Sequence, residues 1–119
     1  DTWVAPGCSP VAYLDTLGFL DEHVLAVHAV QCTADDIARL RQSGCTVVLC
    51  PRSNRAVGVG DPPIAALHAA GVPLALGTDS LASAPTLSMF DEMADAIGPP
   101  DVPWSGGNRP RESREEWSG

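Results

Sequence analysis

Apolar residues along this chain alternate between two periodicities, and glycine, proline and short acidic breaks separate them. After Ser9-Pro10, a serine cap with proline at the first helical position, Val11, Leu14 and Leu17 recur at helical spacing until Gly18. This predicts a short amphipathic helix. The run Val24-Leu25-Ala26-Val27-His28-Ala29-Val30 has no alternation, which predicts a strand covered on both faces in a parallel sheet. Thr33-Ala34-Asp35-Asp36 resembles a capping box with Asp in place of Glu, and it opens a helix through Ile37 and Leu40 that stops at Gly44.

A second buried strand is expected from Cys45 to Cys50. Pro51 to Gly60 is rich in turn formers and reads as a long loop that delays the next helix until Asp61-Pro62; such loops in compact units usually serve function. Ile64 and Leu67 predict a short helix to Gly71, and Val72 to Gly77 a third strand with Pro73 tolerable near its start. A last helix, entered through Ser83-Ala84-Pro85-Thr86, carries Leu87, Phe90, Met93 or Ala94, and Ile97 on one apolar face. Beyond Ile97 the periodicity ends.

Helices thus alternate with three buried strands, and right-handed crossovers would join the strands into three β/α units. Part of a (β/α)8 barrel and a small open doubly wound sheet both accept this order. The boundaries expected are 1–97 for the α/β domain and 98–119 for an irregular or disordered tail. That tail holds Pro99-Pro100, Gly106-Gly107, Trp104 and Trp117 without aliphatic periodicity. A partner-binding segment using the tryptophans, or an end foreign to the domain, are the alternatives.

Composition narrows the class. The 119 residues are 45% hydrophobic and 18% charged, as in soluble globular domains. No apolar run approaches the ~20 residues needed to span a bilayer, and the start has no signal-peptide pattern, so a cytoplasmic protein is expected. A net charge of −8 opposes binding to nucleic acid. Asp15, Asp21, Glu22, Asp35, Asp36, Asp91 and Asp95 are expected at helix ends and exposed faces. Cys8, Cys32, Cys45 and Cys50 lack a C-x-x-C pairing and read as reduced, mostly buried thiols, the last two flanking one strand.

Three polar groups terminate the three apolar runs: His28 near the end of the first, Ser53-Asn54 just after the second, and Thr78-Asp79-Ser80 immediately after the third. In a parallel sheet they share the carboxyl-terminal edge, where α/β folds bind ligands, so the spacing proposes a site of His28, Asn54 and Asp79. Imidazole and carboxylate there suit metal coordination or water activation. Taken singly, a histidine such as His28 is more often a satisfied core residue, and Asp79 more often a helix cap, than a catalytic group. Glu92 reads as a solvated helix residue, and His23 and His68 as structural or exposed.

The wording of the chain is more specific than its spacing. The segments Val24 to Val30, Asp36-Ile-Ala-Arg-Leu40, Gly44 to Asn54 with its C-P-R-S-N, Gly58-Val-Gly60, and Ala70 to Ser80 with its L-G-T-D-S resemble the amidohydrolase superfamily over about residues 8 to 97. The branch is similar to cytosine deaminase and the chlorohydrolase-like enzymes. The resemblance implies the sixth to eighth β/α units of a barrel and hydrolytic deamination, or related C–N or C–Cl hydrolysis, of a purine, pyrimidine or similar small heterocycle. It also implies a divalent metal, zinc before iron. His28 would orient substrate or water and ligate the metal. Asp79 would ligate the metal and move the water's proton, while Asn54 and Ser83 would approach the substrate.

The family's His-x-His pair and fifth-strand histidine have no counterpart here, and His23, only five residues before His28, does not replace the latter. At most two of a catalytic zinc's usual three protein ligands are present. A full barrel takes about 250 residues, so the chain alone is expected to be inactive, with unpaired strand edges that invite self-association. The alternative is a truncated, inactive α/β module acting as an interaction partner. A flavodoxin-like module fits less well, because no glycine-rich phosphate loop directly follows a strand.

Overall fold

A computed structural model describes residues 2 and 4–97; the tail 98–119 lies outside the described residues. The elements are α1 (Pro10–Thr16), β1 (Leu25–Val27), α2 (Ala34–Ser43), β2 (Thr46–Leu49), α3 (Pro51–Val57), α4 (Ile64–Ala69), β3 (Leu74–Leu76) and α5 (Met89–Ile97). The strands form one parallel sheet in the order β1-β2-β3, as the unbroken apolar runs predicted.

The helix starts follow local chemistry. Ser9 Oγ accepts from the Ala12 amide at 3.1 Å, with Pro10 opening α1. α2 begins with the expected capping box: Thr33 Oγ1 accepts from the Asp36 amide, Asp36 Oδ2 accepts from the Thr33 amide, and Gly44 ends the helix in the left-handed conformation. Asp36 departs from the exposed position expected for it, being only 1% exposed. Ser9 also donates to its Oδ1, so a cap that would ordinarily face water is enclosed between α1 and α2. Arg39 ties the same two helices through Asp15 at 2.6 Å, while bonding Asp35 within α2.

Ile37, Leu40, Cys45, Val47, Leu49, Leu67 and Val72 form the core, with Ala26, Leu74 and Leu76 packed against it. The register pairs Ala26 with Val47 and Leu74, and Leu49 with Leu76, so these residues stand on one sheet face. The opposite face carries Leu25, Val27, Val48 and Ala75. Among the described residues it is not covered: Leu25 is 64% and Val27 51% exposed, which corrects the expectation that β1 is buried on both sides.

Three further expectations are corrected. Pro51 to Gly60 is not a continuous loop, because its first seven residues form α3. The residues that suggest turns are those that bound a helix, with Pro51 at the first position and Gly58 closing it at φ 77°. The apolar residues expected on this helix do not face the core: in α5 Phe90 is 81% exposed and Met93, Ala94 and Ile97 are exposed too, as is Leu87 just before the helix begins. Glu92, expected in solvent, is 0% exposed. The cause is electrostatic: α5 packs against α3, whose Arg52 and Arg55 meet Asp91, Glu92 and Asp95. Arg55 and Asp95 form a bidentate pair at 2.6 and 2.8 Å.

The cysteines are free; Cys45 and Cys50 are buried just outside the ends of β2, Cys32 is half-buried and Cys8 exposed. His23 pairs with Glu22 on the surface and His68 is exposed in the last turn of α4.

Candidate active site at the carboxyl edge of the sheet

The three strands end where the backbone turns sharply. The His28 amide still bonds Val48 O at 2.9 Å, after which His28 and Ala29 take φ values of 72° and 48°; this ends β1 at Val27, short of the predicted Val30. Asp79, just past β3, sits at φ 61°. Non-glycine residues pay a steric cost in this region, and such outliers cluster where side chains must be aimed. Here they turn His28 and Asp79 toward each other across the top of β2.

Between them stands the first part of α3. His28 Nδ1 lies 2.8 Å from Asn54 Oδ1. With the amide oriented this way Oδ1 accepts, so Nδ1 carries the hydrogen and Nε2 presents a lone pair in the neutral ring. That Nε2 is 3.7 Å from Asp79 Oδ2, too far for a hydrogen bond and close enough for a charge interaction when the ring carries a second proton. Both side chains remain over a third exposed at the mouth.

Asp79 is held by hydroxyls. Ser53 Oγ donates to its Oδ2 at 2.7 Å, and Ser83 Oγ lies 3.2 Å from the same oxygen and 2.8 Å from Ser53 Oγ. A hydroxyl has one proton: Ser53 spends its own on Asp79, and Ser83 directs its own at the same carboxylate oxygen or at Ser53 Oγ. These bonds keep the Asp79 carboxyl below the ordinary value: Ser53 is the largest cause, opposed by partial desolvation and aided by Ser83, the His28 charge and the Ser80 amide. Beneath lies Cys50, whose thiol is pushed up by burial and then by the charges of Asp79 and Glu92, so it stays protonated. Close packing here requires Gly77, where a Cβ would stand 3.1 Å from Val48 Cγ1.

The structure therefore brings His28, Asn54, Asp79 and Ser83 into one cluster. Ser53, visible in the sequence only as part of the rim, is its hub. Glu92 of α5 and Arg52 of α3 carry no signal in the periodicity of the chain. Among the described residues no three His, Cys, Asp or Glu side chains are grouped to hold a metal ion, and none of the helices is long and apolar enough to cross a membrane.

Residues 6–102 match the Amidohydrolase family. The chain is 50% identical over 91 residues to aminodeoxyfutalosine deaminase of Deinococcus radiodurans, an alignment covering 76% of this chain and 22% of that protein. It is 43% identical over 90 residues to a 5-methylthioadenosine/S-adenosylhomocysteine deaminase of Halobacterium salinarum, covering 76% and 21%. An adenosine deaminase of Xanthomonas campestris, solved with bound zinc, superimposes with a TM-score of 0.73 at 42% identity, covering 76% of this chain and 21% of that one. The chain thus spans about a fifth of the length of these relatives. The family match takes in His28, Asn54 and Asp79 together, and the chain belongs to the amidohydrolase family.

Proposed function

We propose that this chain is the part of a metal-dependent hydrolase that supplies one side of the active-site mouth, in an enzyme deaminating a purine, pyrimidine or related heterocycle. Its three β/α units would stand as the sixth to eighth of a (β/α)8 barrel. The observation that carries this reading is the Asp79 carboxylate, kept ionised by Ser53 and Ser83 and facing His28 Nε2 at 3.7 Å on the carboxyl edge. The relatives' names, deaminases of adenosine derivatives, favour an aminopurine nucleoside over a free pyrimidine.

The donor set fits a divalent metal in part. His28 Nε2 and Asp79 Oδ2 lie 3.7 Å apart at the mouth, and an imidazole lone pair beside a carboxylate is a donor pair that a divalent metal takes. His28 and Asp79 would hold the ion, zinc before iron, with the remaining donors coming from outside this chain. Such an ion would lower the pKa of a bound water and make it a nucleophile near neutral pH. Asp79, ionised and anchored, is the base that receives the water's proton and returns it to the leaving amine. His28, fixed in its tautomer by Asn54, orients water or substrate; Asn54 and Ser83 line the approach of the ring.

A second reading, an inactive α/β module, draws on one observation: no third metal-binding side chain joins His28 and Asp79 among the described residues. Both are tested by assaying zinc-loaded protein against aminopurine nucleosides and aminopyrimidines, as the 119-residue chain and within any longer polypeptide that supplies a His-x-His. The chain alone should show no turnover and weak zinc binding. The longer form should turn over and lose a factor of about 10²–10⁴ in Asp79→Asn. Turnover that survives this substitution sinks the assignment.

A further inference from the structure

We propose that Glu92 is a positioning residue: its buried carboxylate fastens the first turn of α3 to α5, and so fixes where Ser53 meets Asp79 and where Asn54 meets His28. The inference rests on the reading that these four residues form the working edge of the site.

The start of α3 has no cap of its own. Cys50 offers no side-chain hydrogen bond, and Pro51 has no amide hydrogen. The first free donor of the helix is the Arg52 amide, and it is Glu92 Oε2 that accepts from it, at 3.3 Å across forty residues of sequence. The next two residues are Ser53 and Asn54, both buried, the one donating to Asp79 and the other accepting from His28. The connection from Glu92 to the site therefore runs through a single turn of helix. In a helix of only seven residues, releasing that turn frees the part that carries both contacts.

The energetics of Glu92 point to the same role. It is fully buried, its Oε1 lacks a hydrogen-bond partner among the described residues, and Arg52 Nη1 stands off at 3.6 Å. An apolar side chain of that size would fill the space without the cost of burying a carboxylate. What an apolar group would not supply is a directed acceptor for the Arg52 amide. The far end of α3 is held independently by Arg55 and Asp95. Loss of Glu92 should accordingly loosen the first turn selectively, leaving α3 attached to α5.

The test uses the full 119-residue chain, isotope-labelled, as Glu92→Gln and Glu92→Leu, with Asn54→Ala as the reference for a broken His28 contact. Glutamine keeps a carbonyl acceptor for the Arg52 amide; leucine keeps the volume without it. Two readouts need no catalysis: amide exchange at Arg52, Ser53 and Asn54, and the ¹⁵N shift of His28 Nδ1. Exchange at these three amides should quicken about tenfold or more in Glu92→Leu, with the His28 signal moving toward its position in Asn54→Ala, while Glu92→Gln keeps both near wild type. Where Glu92→Leu does not fold, Glu92→Met, apolar and flexible, takes its place. Wild-type values in the apolar variant, or identical changes in Gln and apolar variants, overturn the proposal. Because neither readout depends on turnover, an inactive enzyme would count against the functional assignment and not against this one.

Discussion

Asp36 and Glu92 are two buried carboxylates whose surroundings drive them in opposite directions. Burial pushes Asp36 up, but the Ser9 hydroxyl, the Thr33 amide and hydroxyl, and the Arg39 charge outweigh it and leave the group below its ordinary value. A depressed carboxyl stabilises the fold above its unfolded value of about 3.9, and that contribution is lost as pH falls through the lower folded value. Asp36→Asn keeps one acceptor of two and should cost about 1–3 kcal/mol in urea unfolding at pH 7, with the gap to wild type narrowing toward pH 3. A constant gap across that range would show that Asp36 acts by shape alone. Glu92 runs the other way. Burial raises it, Arg52 through its amide and charge offsets part of the rise, and Asp95 and Asp91 add to it. Its ionised form therefore weighs against the fold above the folded value, and relief comes as pH falls toward the ordinary glutamate value of about 4.3. Glu92→Gln should gain stability relative to wild type at neutral pH and lose that advantage by about pH 4, as measured by the same unfolding series. The local structure of α3, read by exchange, should meanwhile be unchanged.

α3 shows what a sequence reveals and what it hides. α1, α2 and the parallel strands were legible because their signals are local: Ser9-Pro10, the Thr33–Asp36 box ending at Gly44, and unbroken apolar runs. The edge holding His28, Asn54 and Asp79 followed from strand ends alone. α3 was not legible, since Pro51 and Gly58 mark turns and helix boundaries equally, and Cys50 gives no cap signal. The orientation of α5 was hidden for a different reason. Its apolar periodicity is real, yet the charges on α3, about forty positions away in sequence, decide which side is buried. The assignment of Gly58 as a helix terminator can be tested: a Cβ there meets no atom within 4 Å, so Gly58→Ala carries only the backbone cost of φ 77°. That should be about 1 kcal/mol in chemical denaturation, with melting of α3 first. A neutral Gly58→Ala would mean that the helix does not depend on this left-handed stop.

The three strands carry α1, α2 and α4 against one face and, among the described residues, leave the other bare, with β1 and β3 at the edges of the described sheet. In the barrel arrangement proposed above, the bare face of Leu25, Val27, Val48 and Ala75 would turn to the barrel interior. In the described chain Leu25 and Val27 leave it exposed and apolar, and Phe90 and Ile97 on α5 are exposed as well. Apolar patches of this kind drive association, whereas the net charge of −8 keeps copies apart. The balance has a definite salt dependence. Screening shortens the repulsion to about 10 Å at 0.1 M and about 3 Å at 1 M without weakening the apolar attraction. Sedimentation velocity on the isolated chain should therefore show association that strengthens as salt rises, the reverse of a contact built on ion pairs. Val27→Lys places a charge on the bare face, beside Val48 of the central strand, and should return the chain to monomer at moderate salt. Phe90→Lys, on the outer side of α5, should reduce association less. If Phe90→Lys abolishes association and Val27→Lys leaves it intact, the helix and not the sheet is the adhesive surface.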